Sequence, residues 1–295
     1  MFEYMQYNIA PWGWDIPLAF FLVGTAGMVF ALAAAPNVFG GATRVLEPFQ
    51  RTGMVVSLIL IVAGALVHIL DLGQPARFLY PIIYFPWTSS VSWGTAFLPL
   101  FGLCIVGFGY ALWANKPKLL RPVGILGSLL ALSMPLYTGL DLMNQQSREL
   151  WSNPTIPVLF VILSITSGTA LVALILLFTN ALKPEVTRLL RNILFFSVAI
   201  TFALFLGQWV VLLYGSEEQQ QAWRIINAEY GWRFWGLTFV IGILIPLGIV
   251  IATLARPALA RNGALVTVAG VLGAVGAYTF REVLVYGGQL TQIFY

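Results

Sequence analysis

Ile16-Pro-Leu-Ala-Phe-Phe-Leu-Val-Gly-Thr-Ala-Gly-Met-Val-Phe-Ala-Leu-Ala-Ala-Ala35 is twenty residues without a charged side chain. In hydrocarbon a chain must pair its backbone groups within its own segment, so about 20 consecutive apolar residues read as a spanning helix. Seven more runs of this kind follow, at 53–72, 92–113, 121–141, 155–180, 190–214, 234–255 and 264–284. Between them lie turn signals: Pro36-Asn37 with Gly40-Gly41, Gln74-Pro75, Lys116-Pro117, Asn153-Pro154, Lys183-Pro184 and Arg256-Pro257. The expected fold is all-α: a polytopic membrane protein of eight transmembrane helices in one integral membrane domain, 1–295.

Composition agrees. Of 295 residues, 59% are hydrophobic and 9% charged, and the mean hydropathy is +0.88. The formal charge of +4 reports loop topology in such a chain and gives no support to nucleic-acid binding. One cysteine, Cys104, excludes an internal disulfide, a four-cysteine zinc site or an iron-sulfur cluster. One histidine, His68, cannot supply both axial ligands of a bis-histidine haem. Met1 to Trp14 contains Glu3 and no Lys or Arg, so a cleaved signal peptide is not expected and the first apolar run is expected to be retained.

Lysine and arginine distribute unevenly. Odd-numbered loops hold Arg44, Arg51, Lys116, Lys118, Arg121, Lys183, Arg188, Arg191, Arg256 and Arg261; the rest of the chain holds Arg77, Arg148, Arg224, Arg233 and Arg281. The positive-inside rule then puts odd loops in the cytoplasm and both termini on the outer, periplasmic side of a cytoplasmic membrane. The even loops, Pro75 to Ser92, Asn144 to Pro154 and Gly215 to Trp232, are longer and rich in Trp, Tyr, Pro and Gln, as a docking surface would be. Pro17 to Gly27 and Pro157 to Gly168 open spans 1 and 5 in similar fashion, which suggests a parallel repeat of helices 1–4 (16–141) and 5–8 (155–284). Gly24, Gly27, Gly64, Gly102, Gly107, Ser164, Gly168, Gly270 and Gly273 suit close helix contacts.

Ionisable groups inside spans are costly and mark function. Here they fall on one side. Asp15 opens span 1; His68 and Asp71 close span 2, with Arg77 beyond; Asp141 ends span 4; Gln208 lies late in span 6; Arg281 and Glu282 end span 8. The opposite halves offer only Ser57, Ser128, Thr169, Thr179, Asn192, Ser197, Thr253 and Thr267. His68 and Asp71, three apart, share a helix face, as do Tyr137 and Asp141, four apart. Carboxylates at helix C-termini oppose the helix dipole and need a partner, for which Arg77 and Arg148 are candidates. A phenol and a carboxyl in a lipid-facing cleft suit proton exchange with a two-electron, two-proton carrier such as a quinone.

Structural readings stand beside these. Asp15 suits a helix N-cap, Asp71 with Arg77 a turn-holding ion pair, and Tyr137 an interfacial belt. His68 could be a satisfied core histidine, and Arg281 a snorkelling cation. Trp12, Trp14, Trp87, Trp93, Trp151, Trp223, Trp232 and Trp235 read as belt anchors.

Several segments together resemble the NrfD-like, polysulfide reductase membrane-subunit family. Leu66-Val-His-Ile-Leu-Asp-Leu-Gly-Gln-Pro-Ala-Arg-Phe78 and Pro86-Trp-Thr-Ser-Ser-Val-Ser-Trp-Gly94 are similar to its loop after helix 2. Leu136-Tyr-Thr-Gly139 and Arg148-Glu-Leu-Trp-Ser-Asn-Pro154 resemble its YTG segment and following loop, Phe21 to Gly27 its helix-1 glycine motif, and Arg281 to Gln289 its C-terminal segment. The resemblance implies a quinone-binding membrane anchor of a respiratory complex without haem or metal of its own. It further implies an iron-sulfur electron-transfer subunit and a molybdopterin-type catalytic subunit as partners on the outer face.

By that resemblance Tyr137 is the quinone-contacting tyrosine. Where some relatives carry an Asn and a His early in helix 1, this chain has only Asp15, with Ile16 and Ala19 beside it. The expectation is therefore an anchor binding menaquinone or ubiquinone. Tyr137, Asp141, His68 and Asp71 would carry the proton and hydrogen-bond chemistry, and Tyr137, Asp15, Arg77, Gln208 and Arg281 would line the headgroup site. The chain would carry only the quinol site, the complex's catalytic centre lying elsewhere. Alternatives are an ion or proton transporter of two four-helix units, a proton-translocating version of the quinone subunit, and a scaffold that binds no quinone.

Overall fold

The computed structural model describes residues 12–72, 74–256, 259 and 261–290. The opening residues, Gly73, Pro257 and the Asp71 side chain, which bear on the signal-peptide, turn and ion-pair expectations, lie outside the described set. Eight helices are long and apolar enough to cross a membrane: α1 (Asp15–Val38), α2 (Gln50–Asp71), α3 (Ser90–Trp113), α4 (Pro117–Met143), α5 (Thr155–Phe178), α6 (Pro184–Tyr214), α7 (Glu217–Ala255) and α8 (Gly263–Leu290). The chain is all-α among the described residues and forms a multi-pass integral membrane protein.

Local chemistry sets the ends. Proline occupies the first helical position of α4 and α6, where its missing N–H costs nothing. After α3 and α5 the chain reverses through Asn115 and Asn180, in the left-handed region at φ 50 and φ 52, which asparagine tolerates better than most side chains. Two ends depart from the sequence reading. Gly215 to Trp232 is mostly helix, not loop: Ser216 and Gln219 form a reciprocal capping box that starts α7 on a polar first stretch, Glu217–Gly231. Hydropathy alone does not reveal this amphipathic part. Its middle, Trp232–Leu244, is π-helical, a geometry in which wide turns gather at functional sites. The other departure is α8, which continues to Leu290, so Arg281 stands nine residues inside its end.

Helices pair around α1, which packs on α2, α4, α5 and α8. Further pairs are α3 with α2 and α4, α5 with α4, α6 and α8, and α7 with α6 and α8. Apolar clusters divide by depth. One, around Phe30, Phe101, Phe108 and Leu190, fills the end away from Asp15; the other, around Phe20, Phe160, Phe205 and Phe280, fills the Asp15 end, called here the polar end. Hydroxyls bond across helices between these levels: Thr25 Oγ1 with Ser167 Oγ at 2.7 Å, and Thr166 Oγ1 to Ser197 Oγ at 2.9 Å.

Small residues permit this closeness. A Cβ on Gly27 would lie 2.5 Å from the Ala131 carbonyl oxygen, and one on Gly168 or Gly24 would meet Met28 or Ser164. Gly64, Gly270 and Gly273 are likewise tight, whereas Gly102 faces open space and Gly107 has only an ordinary contact, against the expectation for both. Gly27→Ala should therefore lower the melting temperature of the detergent-solubilised protein through overpacking worth about 1–3 kcal/mol. Gly102→Ala should leave it unchanged or raise it through helix propensity, roughly 1 kcal/mol at most. Equal responses would refute the packing assignment.

Candidate functional site

Tyr137 leaves α4 toward α3, where its ring lies on the bare backbone of Gly94; a Cβ there would strike the ring edge. One turn on, Asp141 accepts a hydrogen bond from Ser90 Oγ at 3.3 Å. Ser90 is the first residue of α3 and Gly94 lies one turn after it, so this single face of α3 both seats the phenol and holds the carboxylate. Among the described residues no group takes a hydrogen bond from the Tyr137 hydroxyl or gives one to it, which leaves that donor to a ligand. Helical spacing in the sequence puts Tyr137 and Asp141 together but gives no sign of Ser90 and Gly94, since a one-dimensional pattern does not say which helix faces which.

Asp15 and His68 come together on neighbouring helices. Asp15 is the first residue of α1, not its cap, and makes no capping hydrogen bond; its charge sits close enough to act on His68. The imidazole stands 6.3 Å from the Phe20 ring, tilted by 35°. Asp71 follows His68 by three residues at the end of α2. These groups and the Tyr137 pair occupy the polar end of the mutually packed α1, α2, α3 and α4.

Two further residues expected to line the site are bonded to groups of other helices. Gln208 is buried in α6, and its Oε1 accepts from Thr155 Oγ1 at 2.6 Å. Arg281 is fully buried at 0% exposure, so it does not snorkel. Its guanidinium donates to the Ala277 carbonyl at 2.7 Å, the Phe160 carbonyl at 3.0 Å and Ser164 Oγ at 2.8 Å, and lies 4.8 Å from the Phe160 ring centroid. Among the described residues it has no carboxylate partner, and its buried Nε makes no hydrogen bond. Ser164 in turn adjoins the face of Gly24 where a Cβ would sit, and Pro135 of α4 borders the same face. The Ser164 hydroxyl that binds the cation thus also lies close to Pro135 of the Tyr137 helix.

Of the two arginines expected as partners, Arg148 bonds elsewhere than to Asp141. Arg148 donates to the Gly288 carbonyl at 2.7 Å and lies 5.0 Å from the Trp151 ring centroid; partial burial lowers its pKa from the ordinary arginine value. Arg77 stacks over Tyr80 at 5.6 Å. Trp151 is not a belt residue: it is buried, donates through Nε1 to the Leu284 carbonyl at 2.6 Å, and stacks on Trp12 at 5.2 Å. Gln289 completes this clasp by exchanging hydrogen bonds with the Trp12 backbone. Trp14, Trp87 and Trp232 are exposed, as belt residues would be, while Trp223 and Trp235 join the aromatic cluster around Phe234.

At the opposite end, a cleft of ≈ 620 Å³ lies between Glu47, Gln50, Arg51, Lys116 and Leu120, far from these groups. Among the described residues no three His, Cys, Asp or Glu side chains are grouped to hold a metal ion.

Removing an unpaired buried cation relieves a desolvation cost of several kcal/mol, against which three hydrogen bonds to neutral acceptors return only part. Arg281→Met should consequently leave the melting temperature unchanged or raise it. A fall of more than about 5 °C, roughly 1–2 kcal/mol, would show instead that the arginine's bonds across α5 and α8 hold the fold.

The family model described as polysulphide reductase, NrfD, matches residues 3–293. Among curated relatives, protein NrfD of Escherichia coli is 26% identical over 95% of both sequences. A polysulfide reductase subunit of Wolinella succinogenes is 25% identical over 96% of both. The Hdr-like menaquinol oxidoreductase integral membrane subunit of Archaeoglobus fulgidus is 27% identical over 96% of this protein and 72% of its own length. With eight apolar helices and a match that runs almost from end to end, the chain belongs to the NrfD, polysulphide reductase family.

Proposed function

We propose that this protein is the membrane anchor of a respiratory oxidoreductase complex and binds a quinone at the polar end of α1 to α4. The observation that carries this reading is the Tyr137 hydroxyl, free of partners among the described residues, seated on Gly94 one turn from a carboxylate held by Ser90. A flat ring of two carbonyls fits such a place: it accepts from a phenol and exchanges protons with a nearby carboxyl. A relative named for menaquinol oxidation and another named as part of polysulfide reductase favour the same ligand class. Bound there, a quinone supplies two-electron, two-proton redox chemistry.

The protein's own residues orient and neutralise. Tyr137 donates a hydrogen bond to a ring oxygen. Asp141 takes or returns a proton at its carboxylate, with Ser90 holding the group in position. On the facing helices Asp15 and His68, near enough for the charge of one to act on the other, would be further proton carriers together with Asp71, and Arg77 would balance the charge there. Arg281 and Gln208 drop out of the headgroup contacts; Arg281 acts through its positive potential, which favours any negative charge that gathers near Pro135 and Tyr137.

Positive loops at the opposite end favour an outer position for the polar end, on the periplasmic side of the cytoplasmic membrane. There the 75–90 loop, the 144–154 loop and the start of α7 present the docking surface for an iron-sulfur subunit, itself attached to a molybdopterin-type catalytic subunit. The protein holds only the quinol site, so electrons leave it through that partner.

Tyr137→Phe keeps the ring on Gly94 and removes one hydrogen bond. It should slow quinol-dependent turnover of the assembled complex by roughly 5- to 150-fold, as expected for 1–3 kcal/mol of lost polar contact. Co-purification of the partners should be unchanged. Wild-type turnover in Tyr137→Phe would remove the residue from the mechanism.

A further inference from the structure

The sequence Tyr137-Thr-Gly-Leu-Asp141 in α4 returns in α8 as Tyr278-Thr-Phe-Arg-Glu282: tyrosine, threonine, two residues, an acid. The two helices hold equivalent places. α1 packs on α2 and α4, and α3 on α2 and α4; α5 packs on α6 and α8, and α7 on α6 and α8. In both copies the threonine bonds back to its own helix, Thr138 to the Pro135 carbonyl and Thr279 to the Val275 carbonyl. In both, the acid is held by the preceding spanning helix: Asp141 by Ser90 of α3 at 3.3 Å, Glu282 by Arg233 of α7 at 3.2 Å. The latter is the one ion pair among the described residues.

The surroundings of the second copy are those of a ligand site. Tyr278 meets Phe21 of α1 edge-on at 5.8 Å. Tyr230 and Tyr286 lie 6.2 Å apart, and Arg233 stands 5.8 Å over the Tyr230 ring. The three tyrosines are half-buried, at the polar end. Among the described residues none of the three phenol hydroxyls has a hydrogen-bond partner, so three donors and an apolar ring edge converge on one charged pair.

We propose that Tyr278, Glu282, Arg233, Tyr230 and Tyr286, closed by Phe21, form a second site for the same chemical class of ligand, the ring of a quinone or quinol with its two oxygens. The site is related to the first by the internal repeat of four helices. It rests on the quinone reading given above. It also differs from the first site, for its carboxylate is tied to a fixed cation where Asp141 has only a hydroxyl. Glu282 thereby meets a ligand hydroxyl as a paired carboxylate, a hydrogen-bond acceptor, which suits retention of the reduced ring.

The test uses the intact complex in native-lipid particles and a short-tailed photoreactive azidoquinone. After illumination, peptides carrying Tyr137 and Tyr278 are quantified by mass spectrometry, in wild type and in a Tyr278→Phe, Glu282→Gln double variant whose assembly is checked by co-purification. Labelling of both peptides, with the double variant losing about fivefold or more at the Tyr278 peptide alone, is the expected result. Label on the Tyr137 peptide alone overturns the second site and leaves the first reading intact. Label on the Tyr278 peptide alone keeps the second site and removes the first. No label on either overturns both. Should the double variant fail to assemble, excess unlabelled quinol must still suppress wild-type labelling of the Tyr278 peptide, and label that it does not displace overturns the proposal.

Discussion

Everything at the polar end depends on how closely α1 approaches α4 and α5. Membrane helices gain nothing from hydrophobic exclusion between themselves, so they hold together through dense contacts and a few bonds between polar groups. Here the approach is backbone to backbone: Gly27 lies against the Ala131 carbonyl, and Gly168 against Met28. With α4 held at Ala131, Tyr137 emerges roughly 9 Å further along the helix at a fixed rotation, where Gly94 of α3 receives it. The same tight α1 brings Asp15 to His68 and sets Gly24 against Ser164 and Pro135. A register shift of α1 by one residue would undo all three relations.

The arrangement of polarity follows from this density. The hydroxyls of Ser128, Thr169 and Thr238 are buried without a hydrogen-bond partner among the described residues, but many deep hydroxyls bond helix carbonyls or one another, as Ser57 does on Ala26 and Thr253 on Val250. They cost little there and bring helices together. Arg281 is different, because a guanidinium fully removed from water and facing only neutral acceptors is held against its solvation preference. Such a group is better understood by its field than by its bonds.

Much of the fold is visible in the sequence because hydropathy over twenty residues is nearly sufficient to locate a spanning helix. The first part of α7 escapes that signal because Glu217–Gly231 is polar on most faces and owes its start to a capping box. Arg281 looks terminal and snorkelling when the last apolar run ends at 284; six more residues carry the helix to Leu290 and leave the arginine inside. Site residues sharing one helix, such as Tyr137 and Asp141, are recognisable from spacing. Their partners Ser90 and Gly94 are not, and sequence proximity pairs Asp141 with Arg148, whereas Ser90 holds the acid and Arg148 bonds the Gly288 carbonyl. Spacing specifies a face, whereas a partner depends on which helices adjoin.

The clasp of Trp12, Arg148, Trp151, Gly288 and Gln289 ties a loop from the middle of the sequence to both of its ends. A load applied to the 144–154 loop is therefore borne by α1 and α8 together, at their polar ends. A protein seated on that loop would stiffen the rims of both tyrosine–acid groups at once, and its departure would loosen both. The clasp is in this sense a mechanical link, through which occupancy of the surface is felt inside the membrane.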